Sequence, residues 1–191
     1  TEIYTLSLHD ALPILPACLF YRGYSKTVCI SVNHVVCHGI PSERALREGD
    51  IANIDVTCIV DGWHGDHSRM YGVGPVSARS KRLVEVTYES IARGIAAVKP
   101  GATTGDIGHA IQSYVESMRC SVVRDFCGHG LGKLFHDAPN ILHFGVPGQG
   151  EVLKAGMFFT IEPMVNLGKP SVKVLADGWT VVTRDRRRSA H

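Results

Sequence analysis

The chain has 191 residues, 45% of them hydrophobic, enough for one domain with a sizeable core and short for two. Its 20 Lys and Arg against 18 Asp and Glu leave a net charge of +2, too mild to point to nucleic acid or an anionic membrane surface. The 6 cysteines, Cys18, Cys29, Cys37, Cys58, Cys120 and Cys127, form no CxxC pair and sit mostly among apolar residues, which suits reduced thiols in a core better than a disulfide framework or a zinc knuckle.

At the amino terminus, Thr1 to Leu15 has no clear period and is expected to be a non-native tail, leaving 16–191 as the domain. The apolar stretch from Ala11 to Phe20 is broken by Pro13 and Pro16 and has no basic region before it, so it reads neither as a membrane span nor as a signal peptide. A cytoplasmic location is expected. Strands are predicted over Ser31 to Cys37 and Asp50 to Val60, punctuated by Gly39, Pro41, Gly49 and the Asp61-Gly62 turn. Helical spacing follows in Ser80 to Val98, closed by Lys99-Pro100-Gly101, and in Thr104 to Met118, where Ile107, Ala110, Ile111, Tyr114 and Val115 share a face. Strand-like segments return at Cys120 to Phe126, Met157 to Val165 and Trp179 to Thr183, separated by loops rich in Gly, Pro and His. The order predicts an α/β fold of the α+β type with an antiparallel sheet.

One internal echo stands out. Leu46-x-x-Gly49 precedes Asp55, and Leu153-x-x-Gly156 precedes Glu162 at the same interval, each acid following an isoleucine in an apolar strand. Two related halves contributing one acid each would account for it, as would chance likeness between two turn-then-strand segments.

Carboxylates and histidines carry the candidate chemistry. If Asp61-Gly62 is a two-residue hairpin, Val60 faces Trp63, Asp55 faces Ser68, and Asp66 is the diagonal neighbour of Asp55 on one sheet face. Two carboxylates on a buried face repel and are costly to desolvate unless a cation joins them; a solvated face is the plainer alternative. His129 stands between Gly128 and Gly130, where missing side chains would let backbone pass close to a ligand. Glu162, inside Phe158-Phe159-Thr160-Ile161-Glu162-Pro163-Met164, needs a partner, either a cation site or a buried Lys or Arg.

The strings Val36-Cys37-His38-Gly39-Ile40-Pro41, Asn53-Ile54-Asp55-Val56-Thr57, His64-Gly65-Asp66, Cys127-Gly128-His129-Gly130 and Thr160-Ile161-Glu162-Pro163-Met164 resemble the bacterial type I methionine aminopeptidases in order and approximate spacing, from about Pro16 onward. The resemblance implies a pita-bread fold, two pseudo-symmetric halves around a dinuclear centre, here without the early helices and the last strands. It implies metal ligands at Asp55, Asp66, His129 and Glu162, and a pair contacting the scissile peptide at His38 and His136. A methionine pocket is implied at Cys18, Tyr21, Tyr24, Cys29, Cys37, His38, Phe135, His136 and Trp179, where thiols and aromatic rings would suit a thioether.

Two divalent ions, Co, Mn, Fe or Zn, are expected, activating a water whose proton Glu162 accepts while His136 steadies the oxyanion. The partner would be the amino-terminal Met of nascent peptides at the ribosome, the chain acting as a monomer with no nucleic-acid or membrane partner. The family's fifth ligand, a bridging glutamate, would lie just beyond His191, so weak metal affinity and little turnover are expected. On the same resemblance, Arg184, Arg186, Arg187 and Arg188 form a solvated face. The rivals are an Xaa-Pro peptidase of the same fold and a binding module that has lost catalysis.

Overall fold

The computed structural model describes residues 14–191, so all but the end of the predicted tail lies outside the described residues. Its strands, in chain order, are β1 (Leu15–Pro16), β2 (Cys29–Val32), β3 (Val35–Cys37), β4 (Ile51–Val60), β5 (Trp63–Gly72), β6 (Ser121–Val122), β7 (Gly128–Gly130), β8 (Asp137–Ile141), β9 (Val165–Asn166), β10 (Val172–Val174), β11 (Val181–Thr183) and β12 (Ser189–Ala190). The helices α1 (Ala78–Ala96) and α2 (Thr104–Ser117) fall between β5 and β6. Every ladder is antiparallel.

The β4–β5 hairpin is the backbone of the first half. Asp61 and Gly62 take φ of 51° and 78°, the left-handed pair a two-residue turn demands, and the register runs from Val60 opposite Trp63 through Asp55 opposite Ser68, as predicted. β1 and β2 share the other edge of β4, with Leu15 opposite Ile59 and Cys29 opposite Asp55.

Both helices begin at side-chain caps. Ser77 accepts the Ser80 N–H, and Thr103 and Asp106 form a reciprocal capping box, which satisfies donors that a helix start leaves free. Gly94 of α1 lets the helices close up, since a Cβ there would stand 2.8 Å from Ile111 Cδ1. Leu83 and Val86 of α1 and Ile107, Ile111 and Val115 of α2 pack with Ile51, Ile141 and Val165 in the main core. A second core gathers Val36, Cys37, Val123, Met164, Val172 and Val181, and a third Cys18, Tyr24 and Cys29.

Trp179 to Thr183 narrows to Val181–Thr183, and three other predicted strands depart further from expectation. Ser31 to Cys37 breaks at Asn33, whose φ of 56° turns the chain while its side chain bonds Asp50 and the Ile51 N–H. Of Cys120 to Phe126 only Ser121–Val122 joins a ladder. Of Met157 to Val165 only the last residue does, beyond a single bridge from Phe159 to Gly130, because Pro163 has no N–H and the Glu162 N–H goes to a side chain. All 6 cysteines are free, as the sequence suggests.

Candidate metal centre

Asp66 and Asp55 come from the hairpin, and His129 and Glu162 from the second half. Asp66 lies opposite Thr57, whose hydroxyl donates to Asp66 Oδ1 at 2.9 Å and turns the other oxygen inward. His129 Nδ1 lies 3.0 Å from the Gly130 carbonyl; with the ring proton there, Nε2 offers its lone pair to the carboxylates. Nε2 stands 3.6 Å from Asp66 Oδ2 and 3.5 Å from Glu162 Oε1. The ligand atoms of Asp66, His129 and Glu162 all lie within 4.8 Å of one another. Two carboxylates and an imidazole lone pair turned on one point repel unless a cation or a proton sits between them, and the donor set suits a borderline divalent ion.

Asp55 stands beside this trio and lines the same cleft with Asp66, Glu162 and His191. Burial pushes its carboxyl up to about 7, against the opposing effect of His191, with Asp66 and Glu162 adding to the rise. Glu162 goes the other way. Its burial raises it, but His191, then the Thr160 hydroxyl and His129, bring it down to about 2. His191 Nε2 lies 3.5 Å from Glu162 Oε2. His129 is raised: burial lowers it, and Asp66, the Gly130 carbonyl and Glu162 more than reverse that.

Thr160 joins the parts. Its Oγ1 accepts the His129 N–H at 2.9 Å and donates a short hydrogen bond to Glu162 Oε1. The glycines around His129 make room for chain, not for a ligand: a Cβ on Gly128 would strike the Thr160 carbonyl, and one on Gly130 the Ala138 carbonyl.

The other predicted residues divide between two places. His136 lies with its ring 4.1 Å from that of His129, its Nδ1 2.9 Å from Tyr21 Oη, and burial, aided by His129, lowers it to about 4. Tyr21 packs on Phe135 at 4.8 Å between ring centres. Cys18, Tyr24 and Cys29 cluster with Phe135 and Trp179, and the Tyr24 hydroxyl lies 3.0 Å from the Gly39 carbonyl that accepts its proton. His38, with φ of 55°, sets its ring edge against Phe126 and Trp179, and burial lowers its pKa. Cys37 packs instead in the second core, with Val36 and Met164. Sequence reasoning missed Thr160, His143 and His191. Of these only His143, a polar side chain between Leu142 and Phe144, carries the signal that exposes Glu162.

Residues 8–185 match metallopeptidase family M24. The chain is 55% identical over 186 residues to the methionine aminopeptidase of Rickettsia prowazekii strain Madrid E, covering 97% of this chain and 71% of that one. The crystal structure of methionine aminopeptidase from Rickettsia prowazekii superposes with a TM-score of 0.92 at 57% identity, over 93% of this chain and 72% of that chain. Prolidase from Pyrococcus furiosus is more distant, with a TM-score of 0.64 and 26% identity over 72% of this chain and 41% of that one.

Proposed function

The chain belongs to metallopeptidase family M24, has the pita-bread fold, and on that premise we propose that it is a divalent-metal aminopeptidase removing the initiator methionine from newly made polypeptides. The observation that carries this reading is the meeting of Asp66, His129 and Glu162 within 4.8 Å beside the packed thiol and aromatic cluster of Cys18, Tyr24, Cys29, Phe135 and Trp179, whose Phe135 ring stands 6.2 Å from that of His129. In this reading three acids, Asp55, Asp66 and Glu162, and the His129 imidazole would hold two ions drawn from Mn, Fe, Co or Zn. A divalent ion held there would lower the pKa of a water and polarise a carbonyl.

The chain's own groups supply the rest. Glu162 is ionised across the neutral range and oriented by Thr160 and His191, so it takes the proton of the attacking water and returns it to the leaving amine. His136, neutral by burial and engaged at Nδ1 by Tyr21, has its other nitrogen left to steady the oxyanion. His38 flanks the same space from Trp179. Thiols and aromatic rings favour an unbranched thioether, which selects methionine. The peptide would be met in the cytoplasm as it leaves the ribosome, by the chain as a monomer; among the described residues no helix is long and apolar enough to cross a membrane.

The test is peptide cleavage with added Mn²⁺, comparing Met-Ala-Ser with an Xaa-Pro peptide and each with Glu162→Gln. Met release above the Glu162→Gln background, exceeding cleavage before proline, is expected. Preferred cleavage before proline would make the chain a prolidase-like enzyme. Peptide binding with no cleavage above background would leave a binding module.

A further inference from the structure

We propose that His143 is a positioning residue for Glu162, its Nε2 accepting the Glu162 backbone N–H and so fixing where the carboxylate enters the centre. The proposal rests on the metal-centre reading above and adds to it a residue that touches neither the ions nor the peptide. His143 follows β8 and is 0% exposed, and the Glu162 N–H meets its Nε2 at 3.1 Å. A nitrogen that accepts a backbone N–H carries no proton, so the ring proton sits on Nδ1, which has no partner among the described residues.

The need for such an acceptor arises from the chain around Glu162. That residue lies outside every ladder, and Pro163 follows it, so no neighbouring strand is in register to receive its N–H. A buried amide without an acceptor would draw the backbone toward another partner, and the carboxylate would move with it. Thr160 and His191 restrain the oxygens of Glu162; His143 restrains its main chain.

The position of His143 is itself imposed from α2. Gly108 of that helix faces the His143 segment so closely that a Cβ would strike the Phe144 carbonyl and stand 2.8 Å from the Leu142 carbonyl. Gln112, one turn further, accepts the Gly145 N–H at 3.2 Å. The helix holds the segment, the segment holds the imidazole, and the imidazole holds the backbone of the acid.

Mn²⁺ titration of the full chain by calorimetry tests this, with the urea midpoint of each variant measured alongside. His143→Leu and His143→Asn, neither with an acceptor at the Nε2 position, should bind Mn²⁺ about 10- to 100-fold more weakly, the range for residues that orient metal ligands. His143→Gln places Oε1 near that position and should bind close to the original. Gly108→Ala should weaken binding with His143 intact. If His143→Leu does not fold, the contrast between the Asn and Gln variants decides. Equal Mn²⁺ affinity in the Asn, Gln and original chains, with Glu162→Gln still abolishing binding, overturns the role of His143 alone. Unchanged binding in Glu162→Gln as well overturns the metal-centre reading beneath it.

Discussion

Thr160 is the smallest group on which the centre depends. One hydroxyl receives the His129 amide and hands its own proton to Glu162, so a single oxygen ties two candidate ligands together. Thr160→Val keeps the shape and removes both bonds, leaving a partly buried amide and a carboxylate short of partners. The expected loss is about 1–3 kcal/mol in urea unfolding, with Mn²⁺ affinity falling about 10-fold or more by calorimetry; Thr160→Ser should restore most of both. Unchanged affinity in the Val variant would mean that the ion alone orients the acid. Such a role is illegible in sequence, since a threonine in an apolar segment passes for ordinary strand composition. Glu162, by contrast, is conspicuous, because a charge among Phe158, Phe159, Ile161 and Met164 has to be compensated. Its neighbour His143 carries the same signal more faintly, being an imidazole able to stay buried as a neutral ring.

Among the elements, the β4–β5 hairpin was readable because its turn chemistry and its apolar run agree on one register. A slip of one residue would send Asp66 to the opposite face, so the turn at Asp61 and Gly62 bears on the centre as well as on the fold. Gly62→Val forces a β-branched residue to a φ of 78° and should cost about 1–2 kcal/mol. It should also weaken Mn²⁺ binding if the register shifts; destabilisation with unaltered Mn²⁺ affinity would show that the ladder holds register unaided. The helices were legible too, with Thr103 and Asp106 marking the start of α2. The carboxyl of Asp106 is held below its ordinary value by the Thr103 amide, then the Gly148 amide and the Thr103 hydroxyl. A depressed folded pKa means stabilisation present above the unfolded value of about 3.9 and lost as pH falls through the lower folded one. Urea midpoints at neutral and strongly acid pH should therefore converge in Asp106→Asn relative to the original chain. The strands β7, β8 and β9 were not legible. They are two to five residues long, and the Gly and His of β7 and the Pro of β8 answer to close chain packing, which has no period.

Taken as a whole, the molecule divides its candidate ligands between halves: Asp55 and Asp66 on β4 and β5, His129 on β7, and Glu162 beyond it. The echo of Gly49 and Gly156 has a structural counterpart, since both take left-handed φ, 88° and 91°, ahead of their strand-like segments. Among the described residues, Asp55 and Asp66 of the first half have no Lys or Arg against them and Glu162 of the second has only histidines, so an ion at their meeting point would act as a clamp across the fold. A ligand bound only by the native state stabilises it by about 2.7 kcal/mol at one hundred times its dissociation constant. Mn²⁺ at that excess should raise the urea midpoint accordingly and slow amide exchange in β4–β5 and in β7–β8 together. Asp55→Asn combined with Asp66→Asn removes the ligands of one half only, yet it should abolish the slowing in both, because a clamp with one jaw holds neither side. If Mn²⁺ still protects β7–β8 in that variant, the ion belongs to His129 and Glu162 alone, and the halves are joined by packing.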